Sequence, residues 1–202
     1  MTVAKRIIAA AELELGVHEI PAHSNSGARV KQYQATTWLP GTGWPWCVAF
    51  AWTWLVWGQV LHTPCPYPTA SVEQLEAWAR LHGWAAIDPR PGDLACLGHG
   101  RHVTIVHHLL PGGVRFAGIG GNQSDSVRIS EYARSDISTL VRVPASYGKL
   151  PYAPAPRYEV VRGEGEKAHV VFTGGKLDAT VGRAQRALAR GARVVTIRRT
   201  RP

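Results

Sequence analysis

Cys47, His102 and Asn122 are the residues whose types and order could carry nucleophilic chemistry. Cys47 lies in W-P-W-C-V-A-F-A-W-T-W-L-V-W-G, residues 44–58. Pro45 can open a helix and Gly58 can end one, which puts the thiol in a first helical turn. Backbone N–H groups at a helix N-terminus favour the thiolate, the form that attacks. His102 opens the run H-V-T-I-V. An imidazole beside a thiol serves as its base. Asn122 follows two glycines in G-I-G-G-N-Q-S-D, and an amide oxygen there could fix the tilt of the ring. Each residue has a plainer reading: a core cysteine, a capping or surface histidine, a turn-forming asparagine. His99 competes with His102 for the role of base.

A metal centre is a second chemistry. Cys96, His99 and His102 recur at intervals of three, with His107 or His108 as a fourth donor. Zinc sets usually contain a tighter C-x2-C or H-x3-H pair. The other cysteine, Cys65, lies between prolines, and an odd, widely spaced set of three implies no disulfide framework.

The elements that must position these residues follow from periodicity and punctuation. A helix is predicted over Val3–Leu15, with Ile7, Ile8, Ala11 and Leu15 at helical spacing and Gly16 as its stop. A short helix is predicted over Ala28–Thr37, and the Cys47 helix over Pro45–Gly58. Only Thr53 is polar between Val48 and Trp57, so that helix should be buried on nearly all sides. Another helix is predicted over Ser71–Leu81, capped by Ser71. From Leu94 to Pro144 the pattern changes to short β-branched runs separated by turns, an antiparallel meander of four or five strands. Along the second of these runs His102, Thr104 and Val106 should face one way and Val103, Ile105 and His107 the other. Helices first and a sheet second give an α+β domain over 1–145. A proline-rich linker over 146–156 follows, then a small ββαβ segment over 157–202.

The chain has 202 residues and a formal net charge of +9. Residues 157–202 hold eleven Lys/Arg against four Asp/Glu, so most of the excess is there. In the helix predicted over 176–189, Leu177, Val181, Ala184 and Leu188 form one stripe, and Arg183, Arg186 and Arg190 another. Such a segment suits a polyanion, and a non-enzymatic polyanion-binding protein is the reading in a different class. It leaves the Cys-His-Asn set unexplained, and no nucleic-acid-binding motif is present. Glu12 and Glu14 interrupt the only candidate leader, and no apolar run spans a bilayer. We therefore expect a soluble protein made in the cytoplasm without a signal peptide or membrane insertion.

W-C-V-A-F-A-W, P-G-D-L, H-V-T-I-V and G-G-N-Q-S-D, in this order and spacing, resemble the CHAP family of cysteine, histidine-dependent amidohydrolases/peptidases. The stretch G-V-H-E-I-P to S-N-S-G-A-R-V-K-Q-Y is similar to the opening segment of one branch. The resemblance covers about residues 7–145 and implies a papain-like fold. It implies Cys47 as nucleophile, His102 as base and Asn122 as the polar third residue. The substrate it implies is bacterial peptidoglycan, cut as an N-acetylmuramoyl-L-alanine amidase or an endopeptidase, by a phage lysin released to the wall or carried in the virion. Many members carry an acidic residue just before the asparagine. Gly120 and Gly121 stand there, which favours a Cys-His-Asn triad. The loop L-P-G-T-G-W-P-W holds no carboxylate, so no calcium and no other cofactor is expected. Tyr33, Trp44 and Trp46 are candidates for the groove wall, with core packing as the alternative. Anionic wall polymers are the partner expected for 157–202.

Overall fold

The structure, a computed structural model, describes residues 1–149, 157–164, 167–174 and 194–200. The chain forms two compact units, Met1–Lys149 and Leu150–Pro202. The first is α+β, with four helices and a six-stranded antiparallel sheet.

Helix α1, Val3–Glu12, is capped by Thr2, whose hydroxyl accepts from Lys5 N–H at 3.3 Å. Val3, Ile7 and Ala11 form its buried stripe. It stops short of Leu15 because Glu14 turns inward, while Leu13 is 87% exposed. Helix α2, Ala28–Gln34, also ends earlier than its pattern suggests. The hydroxyls of Thr36 and Thr37 donate to the carbonyls of Tyr33 and Gln34, competing with backbone pairing. Glu14 joins the two helices: it accepts from Arg29 through both oxygens and from the Tyr33 hydroxyl at 2.7 Å.

The tryptophan-rich stretch departs from expectation. Cys47 and Val48 begin as a helical turn, and a π-helix follows over Ala49–Leu61. Pi-helical pairing usually lasts a single turn. The Thr53 hydroxyl donates to the Ala49 carbonyl at 2.8 Å, taking the acceptor that α-helical pairing would give the Thr53 N–H. Gly58 does not end the helix. It lies exposed on it, and the stop comes at His62, which is left-handed at φ 53° and donates its N–H to Trp57. Nine of the thirteen residues are buried, as an apolar sequence without a polar face requires. Helix α3, Val72–Leu81, starts where predicted, with the Ser71 hydroxyl accepting from Gln74 N–H at 3.3 Å.

The strands are β1 (Ala85–Ala86), β2 (Leu94–Leu97), β3 (His102–Leu109), β4 (Arg115–Gln123), β5 (Ser126–Ala133) and β6 (Ile137–Val141), in the order β1-β6-β2-β3-β4-β5. Only β2 to β5 form the expected meander. Strand β6 returns to the far side and pairs with β2 and with the two-residue β1. Just beyond it Arg142 forks onto Asp93, at 2.8 Å from Nε to Oδ1 and 2.7 Å from Nη2 to Oδ2. The P-G-D run is thus a structural joint. A Cβ on Gly92 would lie 2.5 Å from the Ala4 Cβ, so that turn packs directly on α1.

The sheet has two apolar faces. Cys96, Val103, Ile105 and Ile119 join the helices in the main core, whereas Ala95, Leu97, Val106, Phe116 and Leu140 form a second cluster. Among the described residues no helix is long and apolar enough to cross a membrane. The second unit contains β7 (Arg157–Glu164), β8 (Lys167–Gly174) and β9 (Val194–Thr200), antiparallel in the order β8-β7-β9. The helix predicted over 176–189, with its arginine stripe, lies outside the described residues.

Candidate active site

Cys47 is set in the first turn ahead of the π-helix and is 4% exposed. Burial raises its pKa. The nearby backbone N–H groups of Val103, Val48 and Cys47 itself act in the opposite direction. The first of these donors comes from β3, one residue after His102. The start of the helix and the start of β3 therefore come together near the thiol.

The His102 imidazole lies near Tyr132. Its ring centroid lies 6.3 Å from that of Tyr132, and no hydrogen bond joins it to the Cys47 thiol. His102 opens β3, directly before Val103, which faces the helices with Cys47. His102 Nε2 is buried without a partner, and burial pulls the ring pKa down to about 4. Burial thus disfavours the charged form of both groups.

Asn122 was expected to orient that ring and does not. It is left-handed at φ 60°, at the end of β4. With its amide oriented so that both ends are satisfied, Nδ2 donates to Glu19 Oε1 at 3.0 Å and Oδ1 accepts from Trp46 N–H at 3.3 Å. Its neighbour Gln123, oriented likewise, accepts from Gly120 N–H at 2.9 Å and the Thr104 hydroxyl at 3.0 Å, and donates to Ser130 Oγ at 2.8 Å. These contacts hold the end of β4 against β3, β5 and the residues before Cys47.

Two cavities open here. One of about 470 Å³ is lined by Cys47, Trp38, Leu39, Trp44, Ser71 and Arg101. The other, of about 620 Å³, is lined by His102, Asn122, Gln123, Tyr132 and again Arg101. Of the three aromatic residues proposed for a groove wall, only Trp44 lines one. Tyr33 and Trp46 are 0% exposed and belong to the core, where Tyr33 serves Glu14. Trp38 and Leu39, which the sequence reading passed over, stand on the rim at 52% and 42% exposure. Their position at the start of the W-L-P-G-T-G stretch that leads to Cys47 was the available signal.

The alternative metal set is not brought together. Cys96 pairs with Val103 and Leu97 with His102, so Cys96 and His102 lie on opposite faces. Among the described residues no group of three or more His, Cys, Asp or Glu is placed to hold a metal ion. Glu19 is the residue sequence reasoning missed: a carboxylate only 3% exposed, in contact with Trp46 and Asn122. Comparison with known proteins finds no family model, no curated protein and no solved structure that matches the chain.

Proposed function

We propose that residues 1–149 form a papain-like cysteine hydrolase of amide bonds, of the CHAP kind, whose substrate is bacterial peptidoglycan. The observation that carries this reading is the placement of Cys47. Its thiol lies at a helix start, on the lining of an open groove, and near the amide that follows His102. The ordered motifs around Cys47, Asp93, His102 and Asn122 add the substrate class by resemblance.

In the reaction proposed, the His102 ring leaves its contact with Tyr132 as substrate enters and takes the thiol proton. Active-site contacts commonly tighten only when substrate is bound. The thiolate attacks the carbonyl carbon, and the Cys47 backbone N–H holds the resulting oxyanion. The imidazolium gives its proton to the leaving amine. Water, deprotonated by His102, then releases the acyl group as a carboxylate and restores the thiol. Residues 157–202, with their excess of Lys/Arg, would hold the enzyme on anionic wall polymers by charge.

Mass spectrometry of fragments released from purified walls tests the proposal and identifies the bond. Cys47→Ala and Cys47→Ser are expected to release none while keeping the wild-type circular dichroism. Release by a folded Cys47→Ala protein refutes the cysteine mechanism.

A further inference from the structure

We infer that Glu19 is a positioning residue of the Cys47 centre, acting through Asn122 and Trp46. The inference rests on the hydrolase reading above and adds to it a group that the Cys-His-Asn set does not contain.

Glu19 lies in the loop between α1 and α2. Its carboxylate is 3% exposed, and among the described residues no Lys, Arg or His forms an ion pair with it. Oε1 accepts from the Trp46 indole N–H at 2.9 Å and from Asn122 Nδ2 at 3.0 Å, and Oε2 accepts from Asn25 N–H at 2.7 Å. Every partner is a donor, so the site requires a group that only accepts. A carboxylate meets that condition, whereas a glutamine would aim its NH2 at one of the donors. A buried carboxylate without a counter-cation is costly, and as a filler it would be inferior to an apolar side chain.

The contacts show what the charge secures. Trp46 immediately precedes Cys47 in the chain. Asn122 closes a ring, donating to Glu19 and accepting from Trp46 N–H. Glu19 is itself fixed, its N–H donating to the Asp125 carbonyl at 2.9 Å just past β4. One carboxylate therefore ties the peptide that carries the nucleophile to the strand end beside β3. The amide expected to steer the imidazole instead steers the thiol. Loss of the carboxylate frees the Trp46–Cys47 peptide from β4 and moves the sulfur relative to Val103 N–H and the oxyanion position.

The test uses full-length Glu19→Gln, Asn122→Ala and the double variant, with two readouts. One is kcat and KM for release of wall fragments. The other is the rate at which iodoacetamide alkylates Cys47 at neutral pH, located by mass spectrometry, which needs no substrate. Each single variant is expected to lose about 10²-fold in kcat with KM unchanged, the scale of a misplacement near 1 Å. Each should also slow alkylation, and the double variant should be no worse than the poorer single one, because both act through one network. A folded Glu19→Gln protein with wild-type kcat and alkylation overturns the inference, as do losses that multiply in the double variant. Should Glu19→Gln not fold, Asn122→Ala carries the same readouts, and wild-type values for it overturn the inference equally. If the wild-type protein releases no wall fragments, the hydrolase reading fails, and the alkylation arm still decides the role of Glu19.

Discussion

Gly121→Ala is a one-methyl perturbation that separates the packing of this centre from its chemistry. A Cβ at Gly121 would lie 2.4 Å from Trp46 Cζ3, 2.7 Å from Trp46 Cε3 and 2.8 Å from Phe50 Cβ. Carbon contacts settle at about 3.5–4.0 Å, so β4 and the helix start must part by roughly 1 Å. Trp46 and Phe50 are both 0% exposed and have no free space to move into. Overpacking of this kind costs about 1–3 kcal/mol, offset by about 0.5 kcal/mol from the stiffer unfolded chain. Because Trp46 precedes Cys47, the shift reaches the sulfur, and a misplacement of that size costs about 10²-fold in rate. Gly58→Ala is the control. Gly58 is exposed on the π-helix, and its Cβ would meet only the Thr53 carbonyl, at 3.6 Å. That change should stabilise by about 0.5–1 kcal/mol and leave activity alone. Urea unfolding and wall-fragment release measure both effects. A folded Gly121→Ala protein with wild-type stability and rate refutes the argument, because it would mean that β4 does not press on the residue before Cys47.

Two further outcomes are expected. The His102 pKa is about 4 in the folded protein, against about 6.5 for an unperturbed imidazole, because burial disfavours the charged ring. Over that window the unfolded chain binds the proton, so this contribution to stability is full above about pH 6.5 and lost as pH falls toward 4, by up to about 3 kcal/mol. Urea unfolding across the window should show this acid-side slope in wild type and a weaker one in His102→Gln; equal slopes refute it. The other two cysteines should differ. Cys65→Ser, at a half-buried site, should be nearly neutral, while Cys96→Ser puts a hydroxyl into the 0% exposed core at a cost of about 1–3 kcal/mol, read as a lower melting temperature.

How much of the fold the sequence discloses depends on whether the deciding interaction is local. Helices α1 and α3 are legible because Thr2 and Ser71 cap them within three residues and their apolar faces keep a helical period. The Cys47 helix is legible as a buried helix and not as a π-helix. A stretch apolar on every side carries no phase, and the contact that takes the Ala49 carbonyl is a single hydroxyl. Strand β6 reads correctly as a strand, but its place beside β2 is not written locally. It goes with the grip of Arg142 on Asp93, 49 residues away.

The candidate site divides along the same line. A cysteine after W-P-W announces a helix start, and Cys47 is at one. Strand alternation was legible too, and it carries the consequence that His102 and Cys96 cannot share a face while Val103 turns toward Cys47. The roles of the aromatic and amide residues were not legible. Trp46 looked like a groove wall because it neighbours the thiol, and Asn122 like the orienter of a base because it follows His102 in the chain. Both turn instead to Glu19, which sits in a polar run, V-H-E-I-P-A-H-S-N, that composition reads only as loop. Trp46 is 27 positions from that carboxylate, and Asn122 lies farther still along the chain, at the end of β4. Burial of a loop carboxylate is fixed by such distant donors, so no local pattern can announce it. The tryptophans around Cys47 divide accordingly: Trp44 lines the cavity beside Cys47, while the indole of Trp46 donates to the buried Glu19.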